Sequence, residues 1–335
     1  MKGAACVAAA VLVFAAASAL AQVGGAADRQ APMFRSSAAL VSLNVTVQDP
    51  RARYISGLHP EDFAVYEDGV RQDVRFFEST SVPVDLIVLI DTSSSMGDKL
   101  DIVHQAAVGF LKSLRPGDRG AVVTFADSVN VVQPLTSDRE SLEKAVRGTV
   151  AFGSTSLNNA IYISLKQFGQ PARRNGDVRR QAIVVLSDGE DTSSLVSFDD
   201  VLALARKTGV NIYTVGLQSK YASMRQAEQG ARRYLSESDY SLKTLARETG
   251  AQSFFPDAGQ LKGVYDSIAL ELASQYSIGY VPIDARPDGR FRRVVVQVVS
   301  KPELRPRTRL GYTADGGTKG PAVIPSAGGT EPSQR

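Results

Sequence analysis

Apolar segments alternate with helical patterns through the middle of this 335-residue chain. The stretch 84–90 is almost continuously apolar, with Asp85 as its acidic interruption, which is typical of a parallel strand buried on both faces. Similar apolar runs occupy 121–125, 182–186, 210–215 and 251–254. Helical spacing is present over 99–114, 138–148, 156–168, 199–207, 241–249 and 259–274. This alternation predicts an α/β fold with a doubly wound, mostly parallel sheet, to which 129–133 adds a short antiparallel edge strand.

Polar segments occur where ligands of such a sheet bind, beyond the carboxyl ends of its strands. The run 91–95, Asp-Thr-Ser-Ser-Ser, directly follows the strand predicted at 84–90 and precedes a predicted helix. The segment 153–160 opens a later helix, and 187–191 follows the strand predicted at 182–186. Because oxygen-bearing side chains can converge in strand-to-helix loops, these segments point to a divalent cation.

The ordered motifs Asp-x-Ser-x-Ser, Thr-x-Leu-x-x-Ala and Ser-Asp-Gly resemble the metal-ion-dependent adhesion site of von Willebrand factor type A (VWA) domains. The resemblance covers residues 82–275, and three motifs in the right strand contexts are more specific than any one of them. It implies that the metal ligands of this chain are Asp91, Ser93, Ser95, Thr155 and Asp188.

This ligand set suits a hard cation, and we expect Mg²⁺, with Mn²⁺ or Ca²⁺ as alternatives. Because three of the five ligands are neutral hydroxyls, the ion would keep net positive charge and an exchangeable position. A Glu or Asp carboxylate of a protein partner could fill that position. By resemblance, Ser93 and Ser95 would coordinate directly, and the other three ligands directly or through water.

Each motif also has an ordinary structural interpretation, as a helix cap, a turn or a group that satisfies backbone donors. Their joint occurrence at strand ends favours metal binding. For Glu190 and Asp191, beside the site in sequence, a solvated acidic loop is favoured over a role in tuning the rim or in repelling acidic partners. The long connection 218–240 carries Arg and Tyr side chains that could select an acidic partner, although a solvated helical excursion is the favoured interpretation. Its residues of interest are Tyr221, Met224, Arg225, Arg232, Arg233 and Tyr234.

These features favour a non-catalytic, adhesion-type protein-binding module over an enzyme. The chain has two histidines, His59 and His104, and neither belongs to a zinc motif. No Walker-type loop, Gly-x-Ser-x-Gly elbow or dinucleotide-binding fingerprint follows any predicted strand. A metal-assisted hydrolase or phosphoryl-transfer enzyme is the main alternative. The second alternative is a structural component of an envelope assembly, in which the ion serves folding alone.

The amino-terminal segment 1–21 has the charged, apolar and small-residue regions of a secretory signal peptide, with cleavage predicted after Ala21. A membrane span is the competing interpretation, but the apolar run is short and rich in alanine. Cys6, the one cysteine, lies in this leader, so the mature chain would have no disulfide. We therefore expect a secreted or periplasmic bacterial protein without a membrane span in its mature form.

Acidic and basic residues nearly balance, with a formal net charge of +3, and no basic stripe indicates nucleic-acid binding. The sequence does not predict the oligomeric state. A flexible lead-in is expected at 22–37 and a disordered tail at 314–335, because both segments are polar and lack periodicity.

Two β-rich segments, 38–80 and 276–313, flank the predicted VWA domain. Strands are predicted at 40–48, 63–67, 72–77, 274–280, 291–299 and 307–312. The stretch 58–69 also resembles the segment before the VWA domain in secreted bacterial VWA-related proteins. Because isolated hairpins are marginally stable, the two segments are predicted to pair into one antiparallel, β-sandwich-like module into which the VWA domain is inserted. Two separate β units are the alternative.

Overall fold

Fourteen strands and six α-helices occupy the residues that this computed structural model describes, which are 40–79, 82–169, 179–188, 191–217 and 237–314. The strands are β1 (Val41–Gln48), β2 (Phe63–Glu67), β3 (Val70–Gln72), β4 (Val74–Ser79), β5 (Val84–Asp91), β6 (Arg119–Phe125), β7 (Val129–Thr136), β8 (Arg180–Ser187), β9 (Asn211–Gly216), β10 (Ser253–Phe254), β11 (Tyr276–Tyr280), β12 (Phe291–Val298), β13 (Arg305–Arg307) and β14 (Gly311–Thr313). The helices are α1 (Leu100–Lys112), α2 (Arg139–Arg147), α3 (Leu157–Gly169), α4 (Phe198–Thr208), α5 (Glu237–Glu248) and α6 (Leu261–Ser274).

The central sheet has the strand order β10-β9-β8-β5-β6-β7. Its strands pair in parallel except β7, which is antiparallel to β6 at one edge. Helices α1, α2 and α6 cover one face, and α3, α4 and α5 cover the other. The predicted doubly wound, mostly parallel sheet is confirmed, and the segment 129–133 lies within its antiparallel edge strand.

Strand β5 lies in the middle of this sheet and is buried along its whole length. Leu86, Val88 and Ile90 pack into the core on one face, whereas Ile87 and Leu89 pack into the core on the other. Two-sided burial explains why this segment is continuously apolar rather than alternating. Full burial of such a side chain contributes about 1.5–3 kcal/mol.

The acidic exception, Asp85, lies at the start of β5, away from the polar segment that follows the strand. Its carboxylate accepts hydrogen bonds from Arg119 at 2.9 and 2.6 Å and from Arg179 at 2.7 Å. Both cations pair with the same carboxylate, so this charge is neutralised where the strand enters the sheet. The role of Asp85 is therefore structural.

Two smaller antiparallel sheets combine strands from both ends of the described chain. One has the order β13-β1-β11-β4 and the other β14-β12-β2-β3. Their facing side chains form one core, which includes Val45 of β1, Val65 of β2, Tyr276 of β11 and Val296 of β12. The prediction that the terminal segments build a flanking antiparallel module is confirmed. Two separate β units do not occur, because strands β1 and β2 each pair with strands that follow the central domain.

Two predicted strands were wrong in extent, because each is divided between the two small sheets. The segment predicted at 72–77 consists of β3 and β4, which break at Asp73 and belong to different sheets. The segment predicted at 307–312 consists of β13 and β14, separated by residues 308–310. A chain that crosses from one layer of a sandwich to the other must bend, and the bend interrupts the ladder.

Gly250, which follows α5, is a point where the central domain meets the carboxyl-terminal strands. It has φ of +77°, and a Cβ there would lie 2.4 Å from the Arg309 nitrogen and 2.5 Å from the Thr308 carbonyl carbon. We expect Gly250→Ala to lower the free energy of unfolding by about 2 kcal/mol, since alanine combines left-handed strain with a backbone clash. Urea denaturation followed by circular dichroism measures this change.

Gly263 provides the matched control for that substitution. It lies exposed in α6, and a Cβ there would meet no heavy atom within 4 Å. Gly263→Ala is therefore expected to raise the free energy of unfolding by up to about 1 kcal/mol, through helix propensity alone. Equal effects of the two substitutions would contradict the packing described for Gly250.

The predicted leader (1–21), lead-in (22–37) and nearly all of the tail (314–335) lie outside the described residues, as does 218–236 of the long connection. Within the described part of the chain, none of the helices combines the length and apolar character needed to cross a bilayer.

Candidate functional site

Asp91 is the last residue of β5 and is completely buried. One carboxylate oxygen, Oδ1, accepts a hydrogen bond from the Ser93 N–H at 2.8 Å, and Oδ2 accepts one from the Ser187 hydroxyl at 2.5 Å. Burial raises the pKa of Asp91, and the hydrogen bonds from Ser187 and Ser93 oppose that shift. The carboxylate therefore ties the polar loop after β5 to the end of the neighbouring strand β8.

Three of the other predicted ligands form a continuous chain of oxygens. The Ser95 hydroxyl donates to Asp188 Oδ1 at 2.7 Å, and Ser93 Oγ lies 3.0 Å from Ser95 Oγ. The Ser93 side chain is buried. Ser95 is exposed, so this oxygen chain reaches the protein surface.

Thr155, the fifth predicted ligand, lies in a neighbouring loop that is fixed against the same edge of the sheet. Its N–H donates to Thr192 Oγ1 at 3.0 Å, and its carbonyl accepts from the N–H groups of Thr192 and Ser193 at 2.9 and 3.0 Å. Ser94 N–H donates to the Gly153 carbonyl at 3.0 Å. The hydrogen bonds link the Thr155 loop with the loop after β5 and with the loop after β8, but none joins Thr155 directly to the other predicted ligands.

Asp191 has a structural role that differs from its predicted one. Its Oδ2 accepts from the Asn158 N–H at 3.1 Å, in the first turn of α3, and its Oδ1 accepts from the Ser194 N–H at 3.0 Å. Interpreting Asp191 as part of a solvated acidic loop was wrong, because a carboxylate satisfies orphan donors at a helix amino terminus. Glu190 lies outside the described residues.

Asp127, which the sequence analysis did not single out, supports the Thr155 loop from the other side. It accepts hydrogen bonds from the Ser154 N–H at 2.8 Å and from the Ser154 hydroxyl, and these bonds lower the pKa of its carboxyl. Gly153 has φ of +78°, and a Cβ there would collide with this carboxylate. Asp127 and Ser154 are 27 residues apart along the chain, so no local pattern indicates this pair.

Lys99 is the second residue near the site that the sequence analysis missed. Its ammonium pairs with Asp188 Oδ2, and the side chains of the lysine and the aspartate are 10% and 2% exposed. Lys99 immediately precedes α1, where the helix dipole disfavours a cation. A basic residue at that position was therefore the available signal that a carboxylate lies nearby.

The donor set fits a hard divalent cation. Ser93, Ser95 and Asp188 place two hydroxyl oxygens and a carboxylate in contact with one another, and Asp91 lies behind them. Three of the five predicted ligands, Ser93, Ser95 and Thr155, offer hydroxyl oxygens, and the described residues include no cluster of three His, Cys, Asp or Glu side chains that could hold a metal ion. Mg²⁺ accepts such oxygens together with water, whereas a zinc site would use His and Cys.

The two histidines lie elsewhere in the fold. His104 on α1 lies 2.6 Å from the Thr149 hydroxyl, and burial lowers its pKa. His59 is exposed in the flanking module, next to the short helical turn Pro60–Asp62. Neither imidazole forms a hydrogen bond with Asp91, Ser95 or Asp188 in the described structure.

Comparison with known proteins identifies the family of this chain. The model of the von Willebrand factor type A domain matches residues 85–261, more than half of the chain. An uncharacterized protein of Borreliella burgdorferi is 29% identical over 149 residues, which cover 42% of this chain and 42% of that protein. Inter-alpha-trypsin inhibitor heavy chain H1 of Sus scrofa is 26% identical over 224 residues, which cover 62% of this chain and 23% of that protein.

The chain thus spans less than half the length of either of these relatives. A solved structure of a von Willebrand factor type A protein from Catenulispora acidiphila is 16% identical and covers 72% of this chain and 52% of that chain, with a TM-score of 0.46. The extent of the family match decides the assignment: this chain belongs to the von Willebrand factor type A domain family.

Proposed function

We propose that this chain is an exported, metal-dependent protein-binding module of the adhesion type. A divalent cation, Mg²⁺ in our proposal, is held by Asp91, Ser93, Ser95, Thr155 and Asp188. When bound, the ion supplies a positively charged, exchangeable position that accepts a Glu or Asp carboxylate of a partner protein. The proposal includes no catalytic step.

The contact of the Ser93 and Ser95 hydroxyls with the Asp188 carboxylate is the observation that carries this proposal. These residues follow different strands, β5 and β8, which are adjacent in the sheet. The buried Ser93 hydroxyl lies beside the exposed Ser95 hydroxyl, so an ion held by both would be reached from solvent. Membership in a family whose domains commonly mediate protein–protein interaction supports a binding role.

We propose export because of the leader-like segment at 1–21. An envelope extract is therefore the material in which to search for a partner. The immobilised chain is incubated with an envelope extract of its source organism in Mg²⁺, washed, and eluted with EDTA. We expect a defined set of proteins to appear in the EDTA eluate, because removal of the ion breaks the bridge to the partner carboxylate. Mass spectrometry identifies the eluted proteins.

Ser95→Ala is the matched variant for this experiment, since it deletes one proposed ligand without changing the charge. It should capture the same proteins at a strongly reduced level. Retention of those proteins in EDTA, or undiminished capture by Ser95→Ala, would exclude a metal bridge. Turnover of a phosphate or peptide substrate that depends on Asp91 would instead favour an enzyme.

A further inference from the structure

Lys99 is a cation built into the candidate metal site. Its ammonium pairs with Asp188 Oδ2, while the other oxygen of that carboxylate accepts the Ser95 hydroxyl. The Lys99 backbone is fixed, because its N–H donates to the Met96 carbonyl at 3.0 Å and its carbonyl accepts from Val103 at 3.1 Å. The lysine therefore reaches Asp188 from an anchored backbone position.

The surroundings of Lys99 indicate why a cation is tolerated there. The residue is 8% exposed and lies at the amino-terminal end of α1, where the partial positive charge of the helix opposes another positive charge. A buried charge needs a partner of opposite sign, and Asp188 is the carboxylate that pairs with it. Without a divalent cation, Asp188 is thus already neutralised.

We propose that Lys99 is an internal counter-ion that holds Asp188 in the metal-free protein and sets the affinity of the site for its divalent cation. This inference rests on the proposed metal site. A divalent ion that ligates Asp188 must share the carboxylate with the ammonium or displace it, and the two positive charges repel each other at short range. Lys99 therefore weakens cation binding while it keeps the empty site ordered.

The test is calorimetric titration of chelator-stripped protein with MgCl₂ and with MnCl₂. Lys99→Met keeps most of the side-chain length and removes the charge, so it should bind both cations about tenfold more tightly than the wild type. In EDTA, Lys99→Met should melt at a lower temperature than the wild type, because Asp188 loses its partner. Saturating Mg²⁺ should remove most of that difference.

Two further variants make the outcome decisive. Lys112→Met removes a cation from the exposed end of the same helix, where Lys112 pairs with Glu143, and should leave cation affinity unchanged. Lys99→Arg keeps the charge and should bind the cations nearly as the wild type does. Equal or weaker binding by Lys99→Met overturns the inference about Lys99 alone. Absence of cation binding by the wild type and by every variant overturns the proposed metal site as well.

Discussion

Asp91→Asn should abolish the stabilisation of this protein by Mg²⁺ while leaving the metal-free protein at least as stable as the wild type. The substitution keeps the shape of a side chain that is completely buried and removes its negative charge. At a Mg²⁺ concentration one hundred times the dissociation constant, the wild type should gain about 2.7 kcal/mol of stability. The variant should gain none, because the buried charge that offsets that of the ion is absent.

The expected behaviour in chelator follows from burial. Burial raises the pKa of Asp91, so the folded protein binds a proton at this carboxyl more readily than the unfolded chain does. For such a group stability falls as the pH rises through the shifted range, and at neutral pH the ionised carboxylate opposes folding. Neutral asparagine removes that opposition, so the stability order of the two proteins should reverse between EDTA and Mg²⁺.

Thermal unfolding in both conditions measures this reversal. Asp101→Asn, on the exposed side of α1, removes the same charge and should respond to Mg²⁺ as the wild type does. An Asp91→Asn protein that is still stabilised by Mg²⁺ would remove Asp91 from the ligand set. Loss of the folded state in EDTA would show that the carboxylate is needed for folding alone.

The Glu271→Ala variant should show the largest loss of stability, about 3–5 kcal/mol in the free energy of unfolding. Glu271 on α6 has no exposed surface and joins the central domain to the flanking module. Its carboxylate accepts hydrogen bonds from Tyr213 at 2.8 Å and from Tyr54 at 3.0 Å. It also forms an ion pair of 2.5 Å with Arg307 of β13.

The loss has three physical contributions. Truncation leaves the Arg307 cation without this partner, deprives the buried Tyr213 hydroxyl of its acceptor, and opens a cavity between the two domains. Tyr213 would still accept the hydrogen bond from Gln275 at 3.0 Å, so the network would be damaged rather than erased. Glu271→Gln keeps the volume and an acceptor, so it should lose less stability than Glu271→Ala.

Chemical denaturation in EDTA and in Mg²⁺ checks this prediction, since the loss should be the same in both. Asp266 provides a control on the same helix, where it pairs with Lys262 in solvent, with side chains 63% and 79% exposed. Asp266→Ala should change stability by less than about 0.5 kcal/mol. A comparably small effect of Glu271→Ala would mean that the interdomain network does not hold the two parts together.

Sequence reasoning succeeded where local pattern and burial coincide. The apolar run 84–90 was correctly predicted as a strand, β5, because a strand buried on both faces has no solvent-facing positions for polar residues. The polar loop after this strand could also be predicted, because polar side chains converge at the carboxyl ends of central parallel strands. Sequence reasoning failed at 72–77 and 307–312, because the chain in each of these segments passes from one small sheet of the sandwich to the other.

The partners of the buried charges Glu271 and Lys99 could not be predicted from local sequence. Glu271 lies in a helical pattern predicted over 259–274, where an acidic residue would ordinarily be assigned to the solvent face. Its partners Thr46, Tyr54 and Tyr213 are 225, 217 and 58 residues away along the chain. The ion pair between Lys99 and Asp188 spans 89 residues. Such pairs carry no periodic signal, because only the packing of separate elements brings them together.

The α/β class, the parallel sheet and the positions of the oxygen-bearing loops could be predicted from the amino-acid sequence, because burial of a strand and helical spacing both leave patterns among neighbouring residues. Three features became visible in the three-dimensional fold: the terminal strands interleave in two sheets, Glu271 joins the domains, and Lys99 pairs with Asp188. These features depend on which distant side chains share a buried space, and buried charges must find their partners there.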